Sequence, residues 1–291
     1  MSNFSDQPNN FARILCGRSL ADRQQQEISL TVQKQINLGK RPPCLAVILV
    51  GDNPASTVYV TAKQKACAKV GIQSKLLHFT KDVSQAYLVE EILKLNIDPN
   101  VDGILVQLPL PNGLDAGSVL EVVDPKKDVD GLTYDNLGRL LSNKPNFVPC
   151  TPLGCMDLIK SATPDITGKK AVVLGRSILV GRPMAILLEQ NNATVTVVHS
   201  MSTNAEKITK EADIVVAAIG NPGFLKADYI KPGAIVIDVG ITKVDGRLFG
   251  DVHESVKEMA GWLTPVPGGV GPMTITKLLS NTLKAFLKYA S

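Results

Sequence analysis

Short apolar runs of strand length alternate with longer helical patterns along most of this chain, in two separate series. Most of the runs are nearly continuous in valine, isoleucine, leucine and alanine, which is typical of strands buried on both faces of a parallel sheet. The alternation of such strands with helices predicts βαβ units. We therefore expect an α/β protein with mostly parallel sheets.

The first series begins with the run CLAVILV at 44–50. It continues through SKLLHFT (74–80), the helical pattern SQAYLVEEILKLN (84–96) and DGILVQLPL (102–110). A helical pattern over 20–39 precedes it and ends at Gly39, a residue typical of helix C-termini. We expect strands and helices to follow one another in this order.

The second series begins with KAVVLG at 170–175, followed by a glycine-containing turn and a helical pattern. The runs ATVTVVH, ADIVVAAIG and AIVIDVG come next. This order is typical of the βαβαβ half that binds mononucleotides. A hairpin is predicted around Asp245-Gly246, and the stretch NKPNFVPCTP at 143–152 is a natural domain boundary between the two series.

Composition excludes several classes of protein. The net charge of +4 over 291 residues is small, and no basic run is interleaved with aromatic residues, so no nucleic-acid partner is expected. The first ten residues lack the apolar core of a secretory signal, and the longest apolar runs are too short to span a bilayer. The five cysteines and three histidines show neither disulfide nor metal-ligand spacing. We expect a protein of the reducing cytoplasm, with no metal and no membrane contact.

The turn GRSILVGRP, at 175–183, is the strongest local signal for a cofactor. Gly175 and Gly181 would let the backbone approach a pyrophosphate, and the helix N-terminus would present unpaired N–H groups to it. The spacing G-x-S-x-x-x-G differs from the usual dinucleotide fingerprint, and strand–turn–helix junctions with two glycines are common. The turn alone therefore leaves a cofactor and an ordinary junction both open.

The end of the run ATVTVVH indicates which dinucleotide would bind. NAD enzymes usually place a carboxylate there for the ribose hydroxyl, whereas this chain has His199 and Ser200. Arg176 in the preceding turn could attract a 2′-phosphate, so NADP is favoured over NAD. The alternative is that Arg176 points to solvent and selectivity lies elsewhere.

A helical stretch after the first strand aligns three polar side chains. Ser56, Tyr59 and Lys63 are spaced by three and four residues, which puts them on one helix face. If a tyrosine ring and apolar neighbours shielded Lys63, its pKa would fall and it could transfer protons. The alternative is that Lys63 belongs to a solvated basic surface together with Lys65 and Lys69.

Further polar residues stand where ligands bind in α/β proteins. Gln107 follows a strand at its carboxyl end, and Asp128 and Asp130 precede Gly131. The two aspartates could equally cap a turn, and Gln107 could be an ordinary satisfied amide. The stretch TPVPGGVGPMT at 264–274 combines prolines that fix the backbone with glycines that allow close approach, so it looks shaped rather than flexible.

Taken together, these motifs closely resemble the bifunctional methylenetetrahydrofolate dehydrogenase/methenyltetrahydrofolate cyclohydrolase family. The matching stretches, in order, are YVTAKQKACAKVGI, DGILVQLPLP, PKKDVDG, FVPCTPLG, GRSILVGRP, ATVTVVHS, KPGAIVIDVGI and TPVPGGVGPMT. The resemblance implies NADP-dependent oxidation of methylenetetrahydrofolate to methenyltetrahydrofolate, followed by hydrolysis to formyltetrahydrofolate in one-carbon metabolism. It also implies a homodimer.

The resemblance further implies roles for individual residues. Lys63 would be the catalytic lysine, Gln107 would tune it, Tyr59 would stack on the folate ring, and Asp130 would bind the pterin. The implied substrate-binding residues are Ser56, Tyr59, Lys63, Gln107, Asp130, Pro267, Gly268 and Gly269. The implied cofactor-binding residues are Thr151, Gly175, Arg176, Ser177, Gly181, Ser200, Ile241 and Thr274.

The implied architecture has two domains. Residues 1–148 would form an N-terminal, three-layer α/β domain that binds folate, and the C-terminal helix at 273–291 would pack back on it. Residues 149–272 would form a Rossmann-type domain that binds NADP. Three alternatives stay open: an NADP oxidoreductase acting on a hydroxy or amino acid, a family member with dehydrogenase activity only, and a non-enzymatic binding protein.

Overall fold

The structure is a computed structural model that describes residues 11–290. The chain divides into two compact units. Within the described residues, the first unit comprises residues 19–154 and 272–290, and the second comprises residues 11–18 and 155–271. The inference about a secretory signal concerns residues 1–10, which lie outside the described residues.

The helices and strands of the described residues follow one another along the chain. They are β1 (Arg13–Ile14), α1 (Gly17–Asn37), β2 (Cys44–Val50), α2 (Pro54–Val70), β3 (Gln73–Phe79), α3 (Gln85–Ile97), β4 (Gly103–Val106), α4 (Ala116–Glu121), α5 (Tyr134–Leu141), α6 (Cys150–Ala162), β5 (Lys170–Leu174), α7 (Gly181–Gln190), β6 (Thr194–Val198), α8 (Ala205–Thr209), β7 (Ile214–Ala217), β8 (Ile235–Asp238), β9 (Thr242–Val244), β10 (Arg247–Phe249), β11 (Trp262–Leu263) and α9 (Val270–Tyr289). Two short 3₁₀ helices lie at Ala227–Tyr229 and Glu254–Glu258.

The first unit is built around a parallel sheet with the strand order β3-β2-β4. Every residue of β2 is buried, because its two faces pack into two different apolar clusters. One cluster contains side chains of α1, α2 and α9, and the other contains side chains of α3 and α4. Helices therefore cover both faces of the sheet, and α9 completes one of the two cores.

The second unit contains a six-stranded parallel sheet with the order β1-β11-β8-β7-β5-β6. The central strands β7 and β8 are buried along their whole length. A β9–β10 hairpin follows β8, and its turn residues Asp245 and Gly246 have φ angles of 47° and 81°. The predicted parallel sheets, hairpin and α/β class are confirmed.

The structure differs from the sequence-based expectations at the edges of the sheets. We expected strands buried on both faces, but β3 and β6 each lie at a sheet edge: β3 has only exposed and partly buried residues, and β6 has one buried residue, Val198. The two-residue strands β1 and β11 and the helices α4 and α5 were not predicted. The unit bounds also differ from the predicted domain bounds, since residues up to Arg18 group with the second unit.

Candidate active site

Helix α2 carries a lysine in the middle of its buried face. The helix begins where Asn53 accepts hydrogen bonds from the N–H groups of Ala55 and Ser56, at 3.0 and 3.2 Å, and Pro54 occupies its first turn. Its buried residues recur at steps of three and four: Ser56, Val60, Lys63, Cys67 and Val70. Lys63 is only 8% exposed, so the solvated basic surface considered from sequence is excluded for this lysine.

Gln107, directly after β4, contacts the Lys63 ammonium. The Lys63 Nζ donates to Gln107 Oε1 at 2.9 Å, while the Gln107 Nε2 donates to the carbonyl of Leu108 at 2.7 Å. The second bond fixes the orientation of the amide, so that its oxygen faces the lysine. The expected pairing of these two residues is therefore present.

Asp130 lies in a loop that Asp128 shapes. Asp128 is buried and accepts hydrogen bonds from five groups: the N–H groups of Gly131, Leu132 and Thr133, the Thr133 hydroxyl and the Asn136 amide. Asp128 therefore has the capping role considered from sequence, and it holds the backbone that carries Asp130. The Cys150 thiol donates to the carbonyl of Val129, the residue before Asp130, at 3.3 Å.

Burial favours the uncharged forms of both Lys63 and Asp130. Burial is the largest effect on both residues: it lowers the pKa of Lys63 and raises the pKa of Asp130. The charge of each opposes the shift of the other, and the charge of Asp128 raises the pKa of Asp130 further. A lysine amine with a lowered pKa can both accept and donate a proton.

Four other predicted site residues of the first unit lie on the helices α2, α6 and α9. Ser56 is buried and Tyr59 is partly buried on α2, and burial raises the pKa of the Tyr59 phenol. The hydroxyl groups of Thr151 on α6 and Thr274 on α9 lie 3.1 Å apart. These two threonines, assigned to the cofactor by resemblance, therefore belong to the first unit and not to the unit with the glycine turn.

The glycine turn after β5 fits a close backbone approach. Gly175 has a φ of 107°, and a Cβ there would lie 2.3 Å from the carbonyl oxygen of Ala218. A Cβ at Gly181 would lie 2.3 Å from the carbonyl oxygen of Gly175. Only glycine fits both positions, and the resulting tight turn is the kind that admits a dinucleotide phosphate.

The expectation of unpaired N–H groups at the start of α7 is wrong. The Ser177 hydroxyl accepts from the N–H groups of Val180 and Gly181, at 3.2 and 3.4 Å. The Ser177 carbonyl accepts from the N–H of Arg182 at 3.0 Å, and Pro183 has no N–H to offer. Ser177 thus caps the helix, and its predicted contact with the cofactor phosphates stays a prediction.

Arg176 and Ser200 stand side by side at the carboxyl ends of neighbouring strands. Leu174 of β5 pairs with Val198 of β6, and each polar residue follows two positions later. Both Arg176 and Ser200 are exposed. Because no carboxylate follows β6 in this turn, the pair is suited to an anionic group such as a 2′-phosphate.

The remaining predicted residues lie in two loops of the second unit. The loop carrying Pro267, Gly268 and Gly269 packs against the start of α1, where the N–H of Arg18 donates to the Gly268 carbonyl at 3.0 Å. Ile241 follows β8 and is exposed. This contact holds the loop at 267–269 within the unit, which agrees with the defined loop conformation expected from the prolines.

Two residues that sequence reasoning left without a role contact the Asp130 loop. The Cys150 thiol is buried and lies 3.3 Å from the Val129 carbonyl. Asn281 of α9 donates to the same carbonyl at 2.8 Å. No local pattern marks Asn281, because its partners lie more than 130 residues away in the chain.

Residues 11–290 contain neither a metal-ligand cluster nor a membrane-spanning helix. No group of three or more histidine, cysteine, aspartate or glutamate side chains in this part of the chain could hold a metal ion. Within the same residues, no helix is long and apolar enough to cross a membrane. All five cysteines are free thiols.

A parallel-sheet unit with a glycine turn for a dinucleotide, together with a unit that holds a buried lysine, amide and carboxylate, defines a two-domain nucleotide-dependent enzyme. Residues 15–130 match the family description "Tetrahydrofolate dehydrogenase/cyclohydrolase, catalytic domain". Residues 149–290 match "Tetrahydrofolate dehydrogenase/cyclohydrolase, NAD(P)-binding domain". The chain belongs to the tetrahydrofolate dehydrogenase/cyclohydrolase family.

Individual relatives agree with this assignment. The bifunctional protein FolD of Acetivibrio thermocellus is 50% identical over 278 residues, covering 94% of this chain and 96% of the relative. The crystal structure of FolD from Campylobacter jejuni has a TM-score of 0.92 and 44% identity, covering 94% of this chain and 98% of that one. FolD of Trypanosoma brucei, solved with NADP and an inhibitor, has a TM-score of 0.92 and 40% identity, covering 96% and 98%.

These matches confirm the family, the dehydrogenase and cyclohydrolase activities and the binding of NAD(P) that the sequence motifs predicted, while the preference for NADP over NAD stays a prediction. The alternative of an oxidoreductase for hydroxy or amino acids is thereby excluded, as is a non-enzymatic protein. The roles of individual residues stay predictions, and so does the division into functional domains.

Proposed function

We propose that the first unit binds the folate and carries the hydrolytic chemistry, with Lys63 as its proton-transfer group. The buried Lys63–Gln107 pair, at 2.9 Å, is the observation that carries this proposal. Lys63 is buried and its Nζ donates to a neutral amide, and burial lowers its pKa although the charge of Asp130 acts in the opposite direction; such a perturbed amine is a candidate for a chemical task. We assign Asp130 to the pterin, whose N–H and amino edge suits a carboxylate.

The oxidation makes few chemical demands on the protein. NADP, when bound, supplies the acceptor for the hydride that leaves the bridging carbon of methylenetetrahydrofolate. The folate nitrogens stabilise the resulting methenyl cation, so the protein needs only to hold the folate in alignment. We assign this holding to Tyr59, by stacking, and to Asp130 and Ser56, by polar contact.

The hydrolysis requires proton movement. When water adds to the methenyl carbon, a neutral Lys63 amine can accept the proton that the water loses. As the bond from that carbon to the ring nitrogen breaks, the Lys63 ammonium can donate a proton to the departing nitrogen. Gln107 keeps the Nζ in place through both protonation states, since its fixed amide oxygen can accept from either form.

A coupled assay tests the two activities together. Purified protein is mixed with methylenetetrahydrofolate and NADP, and NADPH and methenyltetrahydrofolate are followed against an enzyme-free hydrolysis control. We expect NADPH to form with little accumulation of the methenyl compound. Equimolar accumulation of methenyltetrahydrofolate would contradict the hydrolytic role of this site.

We expect Arg176 to select NADP over NAD. Removing its guanidinium in Arg176→Ala should raise KM for NADP by about tenfold, the scale of a charge-assisted contact, and leave KM for NAD nearly unchanged. Initial rates with each dinucleotide give both constants, and Arg247→Ala, at an exposed arginine of the β9–β10 hairpin, is the matched control. An equal change for NADP and NAD would contradict this role.

We further propose a cytoplasmic homodimer. Free thiols at all five cysteines suit a reducing compartment. β6 is the last strand at one end of the six-stranded sheet, and its Val197 is exposed. The free edge of this strand is therefore available for contact with a second copy of the chain. Size-exclusion chromatography with light scattering should give twice the mass of one chain, and a monomer mass would contradict the dimer.

A further inference from the structure

We propose that Asn281 of α9 is a positioning residue for Asp130, acting through the Val129 carbonyl and the Cys150 thiol. This inference rests on the proposed role of Asp130 in binding the pterin. It assigns a function to the C-terminal helix beyond packing: α9 sets the position of the carboxylate that recognises the substrate.

The contacts of Asn281 converge on the two segments around Asp130. Its Nδ2 donates to the carbonyl of Val129, the residue before Asp130, at 2.8 Å. It also lies 3.2 Å from the carbonyl of Val148 and 3.6 Å from the Cys150 sulfur. Asn281 is 5% exposed, so these bonds form in a site shielded from water, where an unpaired carbonyl would be costly.

Cys150 is a second group that contacts both Asn281 and the backbone beside Asp130. Its sulfur accepts from the Asn281 amide at 3.6 Å, and its thiol donates to the Val129 carbonyl at 3.3 Å. Burial raises the pKa of the Cys150 thiol well above its usual value, so the group stays protonated and keeps its donor. The carbonyl directly before Asp130 therefore accepts from two buried side chains, Asn281 and Cys150, and Asn281 also contacts the Cys150 sulfur.

The rest of the loop explains why a second anchor is needed. Asp128 fixes the backbone that follows it, from Gly131 to Thr133, but its side chain accepts nothing from Val129 or Asp130. The carbonyl of Val129 is bonded instead by groups on α6 and α9. The position of Asp130 thus depends on side chains from elements far away in the sequence.

A double-mutant cycle tests the inference. Asn281→Leu removes both donors at nearly constant volume, and it is measured alone and in the Asp130→Ala background. Thr282→Val is the matched control, because Thr282 is buried on the same helix and its hydroxyl donates only to the Leu278 carbonyl within α9. The readouts are KM for methylenetetrahydrofolate, KM for NADP and the thermal unfolding midpoint.

We expect Asn281→Leu to raise KM for methylenetetrahydrofolate by about tenfold, the scale of one or two lost buried hydrogen bonds, with KM for NADP unchanged. In the Asp130→Ala background the same substitution should change it by less than about twofold, because coupled residues are not additive. Thr282→Val should leave both constants unchanged. An equal rise in both backgrounds, or a parallel rise in KM for NADP, would overturn the positioning role.

The proposed function can fail separately. If Asp130→Ala alone leaves KM for methylenetetrahydrofolate unchanged, the pterin role of Asp130 is wrong, whatever Asn281 does. Should Asn281→Leu not fold, Cys150→Ala and Cys150→Ser enter the same cycle. The serine variant keeps a donor to the Val129 carbonyl and should restore most of the folate affinity lost in the alanine variant; equal losses in the two would overturn the role of the thiol contact.

Discussion

Lys63→Ala should lower the cyclohydrolase rate by about 100-fold or more, which is the usual scale of general acid–base catalysis, while a measurable part of the dehydrogenase rate remains. Only the hydrolysis moves protons, and Lys63 is the buried amine whose lowered pKa suits that task. The measurement follows the disappearance of methenyltetrahydrofolate for one activity and the formation of NADPH for the other.

A control for this variant is available on the same helix, two residues along the chain. Lys65 is exposed on α2, and Lys65→Ala should change neither activity by more than about twofold, as is normal for a surface substitution. A loss of both activities by the same factor in Lys63→Ala would contradict the division of labour, since it would mean that Lys63 serves binding and not proton transfer.

Asp130→Ala should raise KM for the folate in both reactions by about tenfold or more, because a charge-assisted hydrogen bond to the pterin is lost in each. The dehydrogenase is the cleaner reaction to measure, since the charge of Asp130 also acts on the pKa of Lys63 and so affects hydrolysis indirectly. Folate binding by fluorescence titration gives the affinity without turnover.

A matched carboxylate is available for this comparison. Asp135 lies on α5, is largely exposed and pairs with Arg139 at 2.6 Å on the surface, so Asp135→Ala should leave folate affinity unchanged. If Asp130→Ala binds folate as tightly as the unaltered protein, the pterin contact is refuted.

Most of the buried strands, and the positions of several candidate site residues, were predictable from local sequence. The steps from Ser56 to Tyr59 and Lys63 correctly indicated one helix face, and the strands β2, β4, β5, β7 and β8 were marked by their continuous apolar runs. Gln107 was expected at the end of a strand, and it lies there. Such features depend on residues that are close in the chain, which is why periodicity reveals them.

What was missed depends on contacts that are distant in sequence. The sheet order shows that β3 and β6 are edge strands, and the polar residues within QSKLLHF and TVTVV are consistent with that place. The strands β1 and β11 contain two residues each, too few for any period. Asn281 reaches Val129 across 152 positions, and nothing near Asn281 indicates that partner.

The place of α9 in the first unit has a consequence for synthesis on the ribosome. Its residues Leu278, Leu279, Leu283 and Phe286 complete the apolar cluster that covers one face of β2, yet α9 is the last described element to be translated. All strands of the second unit precede α9 in the chain, so they are translated before it. The first unit, although most of it is made earlier, lacks the apolar side chains of this helix on one face of its sheet until α9 is translated, so part of its apolar cluster stays accessible to a chaperone during that time.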